Sequence, residues 1–198
     1  MTGIDRSWLF VWIGIVMLGC GSAQAARNMH ERFDRYLAAH PQPRSGCGRH
    51  VAITAGYTID NTPVELMYGY VPVGRLNASA RKIDVGRMLR DYLRLRVAPE
   101  MAGLGEDPSL AAYPHRFVIK LENFEFREHV VQLDLLVSYF HGGRLAFKNN
   151  YRSVSSKPVD TIFRSGLAAE RKGLHQAMAA ALDKIWNRVM EDLGKSSR

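Results

Sequence analysis

The stretch from 115 to 154 constrains the fold of this chain more than any other. Apolar and polar residues alternate along it, the period of a strand with one face buried. Phe117, Ile119 and Leu121 share one parity, and Phe124 and Phe126 have the other. A bulge at Glu122-Asn123 brings the two halves onto one face. Val131, Leu133, Leu135, Val137 and Tyr139 continue the alternation. His141-Gly142-Gly143-Arg144 then reads as a tight hairpin whose glycines supply positive φ, and Leu145, Phe147, Asn149 and Tyr151 follow as a third strand. The segment predicts an antiparallel three-stranded meander.

Such a sheet must cover its apolar face. Leu174, Met178, Leu182, Ile185, Val189 and Leu193 recur at helical spacing, with Ile162, Phe163 and Leu167 opening the same stripe. This helix is expected to start near Asp160, a cap residue, and to end by Gly194. Gly166 and Gly173 each cost about 1 kcal/mol in a helix interior, so a break or a close packing contact is expected there.

The first half of the domain is read the same way. Val51, Ile53, Ala55, Tyr57 and Ile59 alternate as a half-buried strand, and Asp60-Asn61-Thr62-Pro63 has turn chemistry. An extended segment from Val64 to Val73, interrupted by Gly69 and Pro72, is expected to return as its hairpin partner. A helix from Ala80 to Val97 buries Val85, Met88, Leu89, Tyr92 and Leu93, with Ser79 or Asn77 as its cap. Residues 98–114, rich in Gly, Pro and acidic side chains, read as a long connection whose composition favours disorder. The expected class is therefore α+β: a two-layer, mostly antiparallel sheet, hairpin plus three-stranded meander, with two amphipathic helices packed on one face.

Composition agrees with one domain. The 198 residues are 46% apolar and 23% charged, an ordinary globular balance. Cys20 and Cys47 are too few for a disulfide scaffold or a cysteine-rich zinc module. Lys plus Arg is 27 against 19 Asp plus Glu, and 20 of those cations are arginine. That excess favours anionic partners, or reflects a GC-rich genome. Arg87, Arg90 and Arg94 fall on one side of the predicted helix. They form either a solvated surface or a weak cationic patch for lipid headgroups or an acidic partner.

The N-terminus concerns compartment rather than fold. Arg6, the apolar run WLFVWIGIVML over 8–18 and the small residues after it have the layout of an export signal. Leu18-Gly19-Cys20 resembles a bacterial lipobox, with Met17 and Leu18 departing from the usual residues. Cleavage there makes 1–19 the signal and Cys20 the acylated first residue. The alternative, Ala23-Gln24-Ala25, removes 1–25 and releases a soluble periplasmic protein; an uncleaved anchor is the third reading. Residues 20–49 then form a tether with a short helix over 29–39, where Met29, Phe33 and Leu37 share a face. The single domain spans 50–194 and 195–198 are a tail.

Catalytic patterns are missing. There is no G-x-S-x-G, P-loop or dinucleotide fingerprint, and His30-Glu31 lacks the second histidine of a zincin. The expectation is no enzyme, no cofactor, no metal and no nucleic acid, since exposed aromatics do not interleave with the basic residues.

An N-terminal cysteine after a signal, strand–strand–helix, the meander FVIKLENFEFREHVVQLDLLVSYF and the helix FRSGLAAERKGLHQAMAAALDKIW together resemble small bacterial envelope lipoproteins. Those most similar are the auxiliary lipoproteins of ABC-type lipid transporters (PqiC-like), the YajG-like lipoproteins and, more distantly, the lipopolysaccharide-assembly lipoprotein LptE. The resemblance covers about residues 50–193, as pattern. It implies a non-enzymatic accessory lipoprotein, periplasm-facing and in the outer membrane by preference, that docks on an envelope machine transporting phospholipid or lipopolysaccharide. A structural envelope lipoprotein and an exported enzyme are the alternatives.

Overall fold

A computed structural model describes residues 29–30, 32–41, 51–60, 67–69, 81–107, 109, 112–127, 130–156 and 167–196. The signal, Cys20, Cys47 and the start of the last helix near Asp160 lie outside the described residues. In chain order the elements are α1 (Phe33–Ala39), β1 (Val51–Asp60), β2 (Met67–Gly69), β3 (Arg81–Ile83), α2 (Val85–Tyr92), β4 (Met101–Glu106), β5 (His115–Arg127), β6 (Val130–His141), β7 (Arg144–Ser156) and α3 (Leu167–Ser196).

The meander forms as its pattern requires. β5, β6 and β7 pair antiparallel, and the β5–β6 register slips between Leu121 and Asn123, so that Glu122 is the extra residue. Phe117, Ile119 and Leu121 before the slip, and Phe124 and Phe126 after it, are all buried. Gly142 and Gly143 have φ of 56° and 80°, the left-handed pair that a two-residue hairpin needs. α3 lies on this sheet with Leu174, Met178, Leu182, Ile185, Val189 and Leu193 buried. It runs unbroken through Gly173, itself buried, and continues past Gly194 to Ser196. Packing of the stripe outweighs the ~1 kcal/mol propensity of one glycine.

The first half departs from expectation. β1 has no hairpin partner: β4 lies parallel on one side of it and β5 parallel on the other, giving a five-stranded sheet in the order β4-β1-β5-β6-β7. The sheet is thus mixed, and three helices rather than two share its core. Within the segment 64–73, the described residues 67–69 pair instead with β3 in a separate two-stranded sheet. β3 occupies the expected first turn of the helix, so α2 begins at Val85. Its cap is Asp84, whose Oδ1 accepts the Arg87 N–H at 2.8 Å, rather than Ser79 or Asn77. After Tyr92 the helix widens into a π-turn at Leu93–Val97 and tightens at Ala98–Glu100.

The described residues of the stretch 98–114 are built into the fold rather than disordered. Met101–Glu106 form β4, an edge strand, and the connection after it crosses the far face of β1 to reach β5. Asp107 fixes that crossing: its N–H donates to Tyr57 O at 2.9 Å, and its carboxylate accepts from the Ser109 N–H and hydroxyl. Tyr113 lies over Gly56 and Gly105. A Cβ on either glycine would stand 2.5 Å from the tyrosine, from Cδ2 and Oη respectively. Those two glycines exist so that the crossing can lie close against the sheet.

The short helix α1 is not a free spacer. Met29, Phe33 and Leu37 are buried in the common core, His175 Nε2 meets Met29 O at 3.0 Å, and Arg96 Nη2 donates to His40 O at 2.6 Å. Both ends of α1 are fastened to the domain.

Candidate functional site

Among the described residues, all three helices stack on one side of the sheet, and Tyr113 crosses part of the other face. Alternation decides what that face presents. Thr58 from β1, Arg116, Val118 and Lys120 from β5, Gln132, Asp134, Leu136 and Phe140 from β6, and Leu145, Lys148, Arg152 and Val154 from β7 point outward. Leu145 and Val154 are 53% and 50% exposed, while Val118, Leu136 and Phe140 are half-buried among polar neighbours. Charges of both signs meet across it, with Lys120 on Glu122 at 2.8 Å and Arg152 beside Asp134 at 3.7 Å. Apolar side chains therefore lie on this face among charges of both signs, with the cations Arg116, Lys120, Lys148 and Arg152 outnumbering Glu122 and Asp134.

The edges of the sheet differ. Along β7, Lys184 Nζ donates to Val154 O at 3.1 Å and Arg188 Nη2 to Arg152 O at 2.6 Å, so α3 fills carbonyls that an added strand would use. Arg188 also lies over the Tyr151 ring at 5.6 Å. Tyr151 donates its hydroxyl to Asp192 Oδ2 at 2.7 Å, and burial ahead of that bond pushes the phenol up to about 12. The hydrogen bond from Tyr151 in turn holds the Asp192 carboxyl below its ordinary range.

The arginines picked out in the sequence do share one surface of α2 and its continuation. Two of them are already matched: Arg90 Nε meets Glu106 Oε1 of β4 at 2.8 Å, and Arg94 Nη2 meets Asp91 Oδ1 at 3.0 Å. Arg90 and Glu106 are each 40% exposed, where such a pair contributes about 0–1 kcal/mol. Arg87 is exposed, with Asp84 one turn away. The patch is arginine-rich in composition and nearly neutral in its local field.

A polar junction that the sequence reading passes over sits where the three helices meet. Arg96 Nη1 donates to both Asp183 oxygens at 2.7 Å, Tyr92 Oη donates to Asp183 Oδ1 at 2.8 Å, and the guanidinium rests 5.9 Å from the Tyr92 ring centre. Burial, with Asp183 adding to it, holds the Tyr92 phenol well above its ordinary value. The arrangement ties the π-turn to α3 and, through His40 O, to α1. Its only sequence signal is an arginine interrupting an apolar helical stripe. No group of three or more His, Cys, Asp or Glu converges among the described residues.

Solved structures share this architecture. Protein XCC0632 from Xanthomonas campestris, assigned to the family DUF330, superposes with a TM-score of 0.51 at 11% identity, covering 76% of this chain and 92% of that one. The likeness is one of fold. No family model matches the sequence, and no curated protein is significantly similar to it.

Proposed function

We propose that this chain is a non-enzymatic lipoprotein of the bacterial cell envelope. Acyl chains on Cys20 anchor it to the outer membrane, and it faces the periplasm as an accessory subunit docked on a machine that moves phospholipid or lipopolysaccharide. The observation that supports the reading is the sheet face opposite the helices, which sets Val118, Leu136, Phe140, Leu145 and Val154 among charges of both signs. The apolar run 8–18 ending before Cys20 supports the anchor. With α1 fastened to the domain, only the residues between Cys20 and Met29 span from lipid to protein. Those eight residues extend at most about 30 Å, which keeps the domain close to the membrane surface.

The anchor is tested by intact-mass measurement of protein purified from bacterial membranes. The expected mature chain starts at an acylated Cys20, and Cys20→Ala leaves the membrane fraction. A mature N-terminus at Ala26 with unmodified mass would overturn the lipoprotein.

A further inference from the structure

One pair of side chains at the turn end of the sheet is unrelated to docking and has the chemistry of a ligand site. His115 opens β5, His141 closes β6, and they stand directly opposite each other in the ladder. The Gly142 N–H donates to Pro114 O at 2.9 Å. Hydrogen-bonded and non-hydrogen-bonded pairs alternate along antiparallel strands, so the adjoining pair, His115 with His141, is of the kind whose side chains come closest. The imidazoles stack with ring centres 4.5 Å apart. His115 Nδ1 is hydrogen-bonded to Tyr139 Oη at 2.7 Å. Nε2 is left as the ring's second nitrogen, turned away from the phenol.

We propose that His115 and His141 form a two-imidazole site for a borderline transition-metal ion such as zinc(II), copper(II) or nickel(II), with water completing the coordination. Imidazole nitrogen is a ligand these ions share. At Zn–N distances of about 2.0–2.1 Å, two nitrogens on one ion stand roughly 3 Å apart. Ligation of one ion therefore requires the exposed His141 ring to turn out of the stack until one of its nitrogens reaches that separation from His115 Nε2. Tyr139 Oη serves as the outer partner: metal binding at Nε2 selects the tautomer in which Nδ1–H donates to the phenol oxygen. Two protein ligands make an exchangeable site rather than a structural one.

The test is titration of the full-length mature protein with zinc chloride by calorimetry at pH 7.5, alongside copper(II) EPR. The expected result is one ion per chain, with coupling of copper to two nitrogens. His141→Gln, at an exposed position, should melt with wild type in the absence of metal and bind at least tenfold more weakly. His115→Gln should lose the same binding. Tyr139→Phe should retain the stoichiometry and weaken binding about tenfold, as loss of an outer partner does. Absence of a one-to-one event in wild type overturns the site, as does equal binding by wild type and His141→Gln.

Discussion

Acidification should loosen this fold through a single buried histidine. His175 of α3 is 4% exposed, its Nε2 meets Met29 O at 3.0 Å, and the Phe33 ring stands edge-on 5.4 Å away. Burial is the main reason that its pKa falls from 6.5 to about 4, and the nearby charge of Arg171 and the ring of His30 push the same way. The bond to Met29 O and the carboxylate of Asp34 act in the opposite direction and do not prevail. The folded ring therefore resists a proton that the unfolded chain accepts below pH 6.5. Stability is full above that pH, declines as the pH falls toward 4, and stops changing for this group below it. At 1.36 kcal/mol per pKa unit, the loss is about 2 kcal/mol at pH 5 and about 3 kcal/mol by pH 4. Urea titrations at pH 7.5 and 5.0 read it as a fall in midpoint at constant slope. His175→Gln, whose amide can still donate to Met29 O, removes the titrating group, so its stability should change about 2 kcal/mol less between the two pH values. Equal losses in wild type and His175→Gln would refute the reasoning.

Other expectations follow from packing and charge. Leu182→Asp puts an unpaired carboxylate on a stripe that is 1% exposed and should destabilise by several kcal/mol; an unchanged melting temperature would mean the stripe is not core. Gly56→Ala drives a Cβ to 2.5 Å from Tyr113 and should cost about 1–3 kcal/mol, most of it recovered in the double variant with Tyr113→Ala. Changing Arg87, Arg90 and Arg94 together to Gln should shift stability by no more than about 1 kcal/mol, since two exposed ion pairs are all that is lost. Flotation with anionic vesicles at low and high salt then separates the two meanings of that surface. Salt-sensitive binding lost in the triple variant marks a patch, and indifference marks a solvated helix face.

Where the sequence carried a period, it carried the structure. The alternation through β5 and β6 is strong enough to locate the bulge at Glu122, because only an extra residue reconciles Leu121 and Phe124 on one face. The stripe of α3 is equally plain. β4 was illegible for a physical reason: Met101–Glu106 has no alternation, and Gly103 and Gly105 are poor strand formers taken alone. Its pairing with β1 depends on the crossing chain, through Asp107 on Tyr57 and Tyr113 over Gly56 and Gly105, contacts that no local window contains. Missing β4 also hid the partner of Arg90, since Glu106 meets it only when that edge strand forms. The docking of α1 was hidden in the same way. An amphipathic turn on a tether and one packed in a core share the spacing of Met29, Phe33 and Leu37, and only His175 and Arg96, far along the chain, distinguish them.

The proposal that the sheet face opposite the helices meets an envelope machine is tested most directly by photo-crosslinking in intact cells. A photoreactive residue is placed at Leu136, Leu145 or Val154 on that face, and at exposed Arg87 of α2 and Arg94 of the π-turn that continues it as the opposing set. The sheet-face positions should capture subunits of a lipid-transport system, identified by mass spectrometry, while the arginine positions capture none of them. Capture confined to the arginine positions, or none from the sheet face in cells where the protein is membrane-bound, would contradict it.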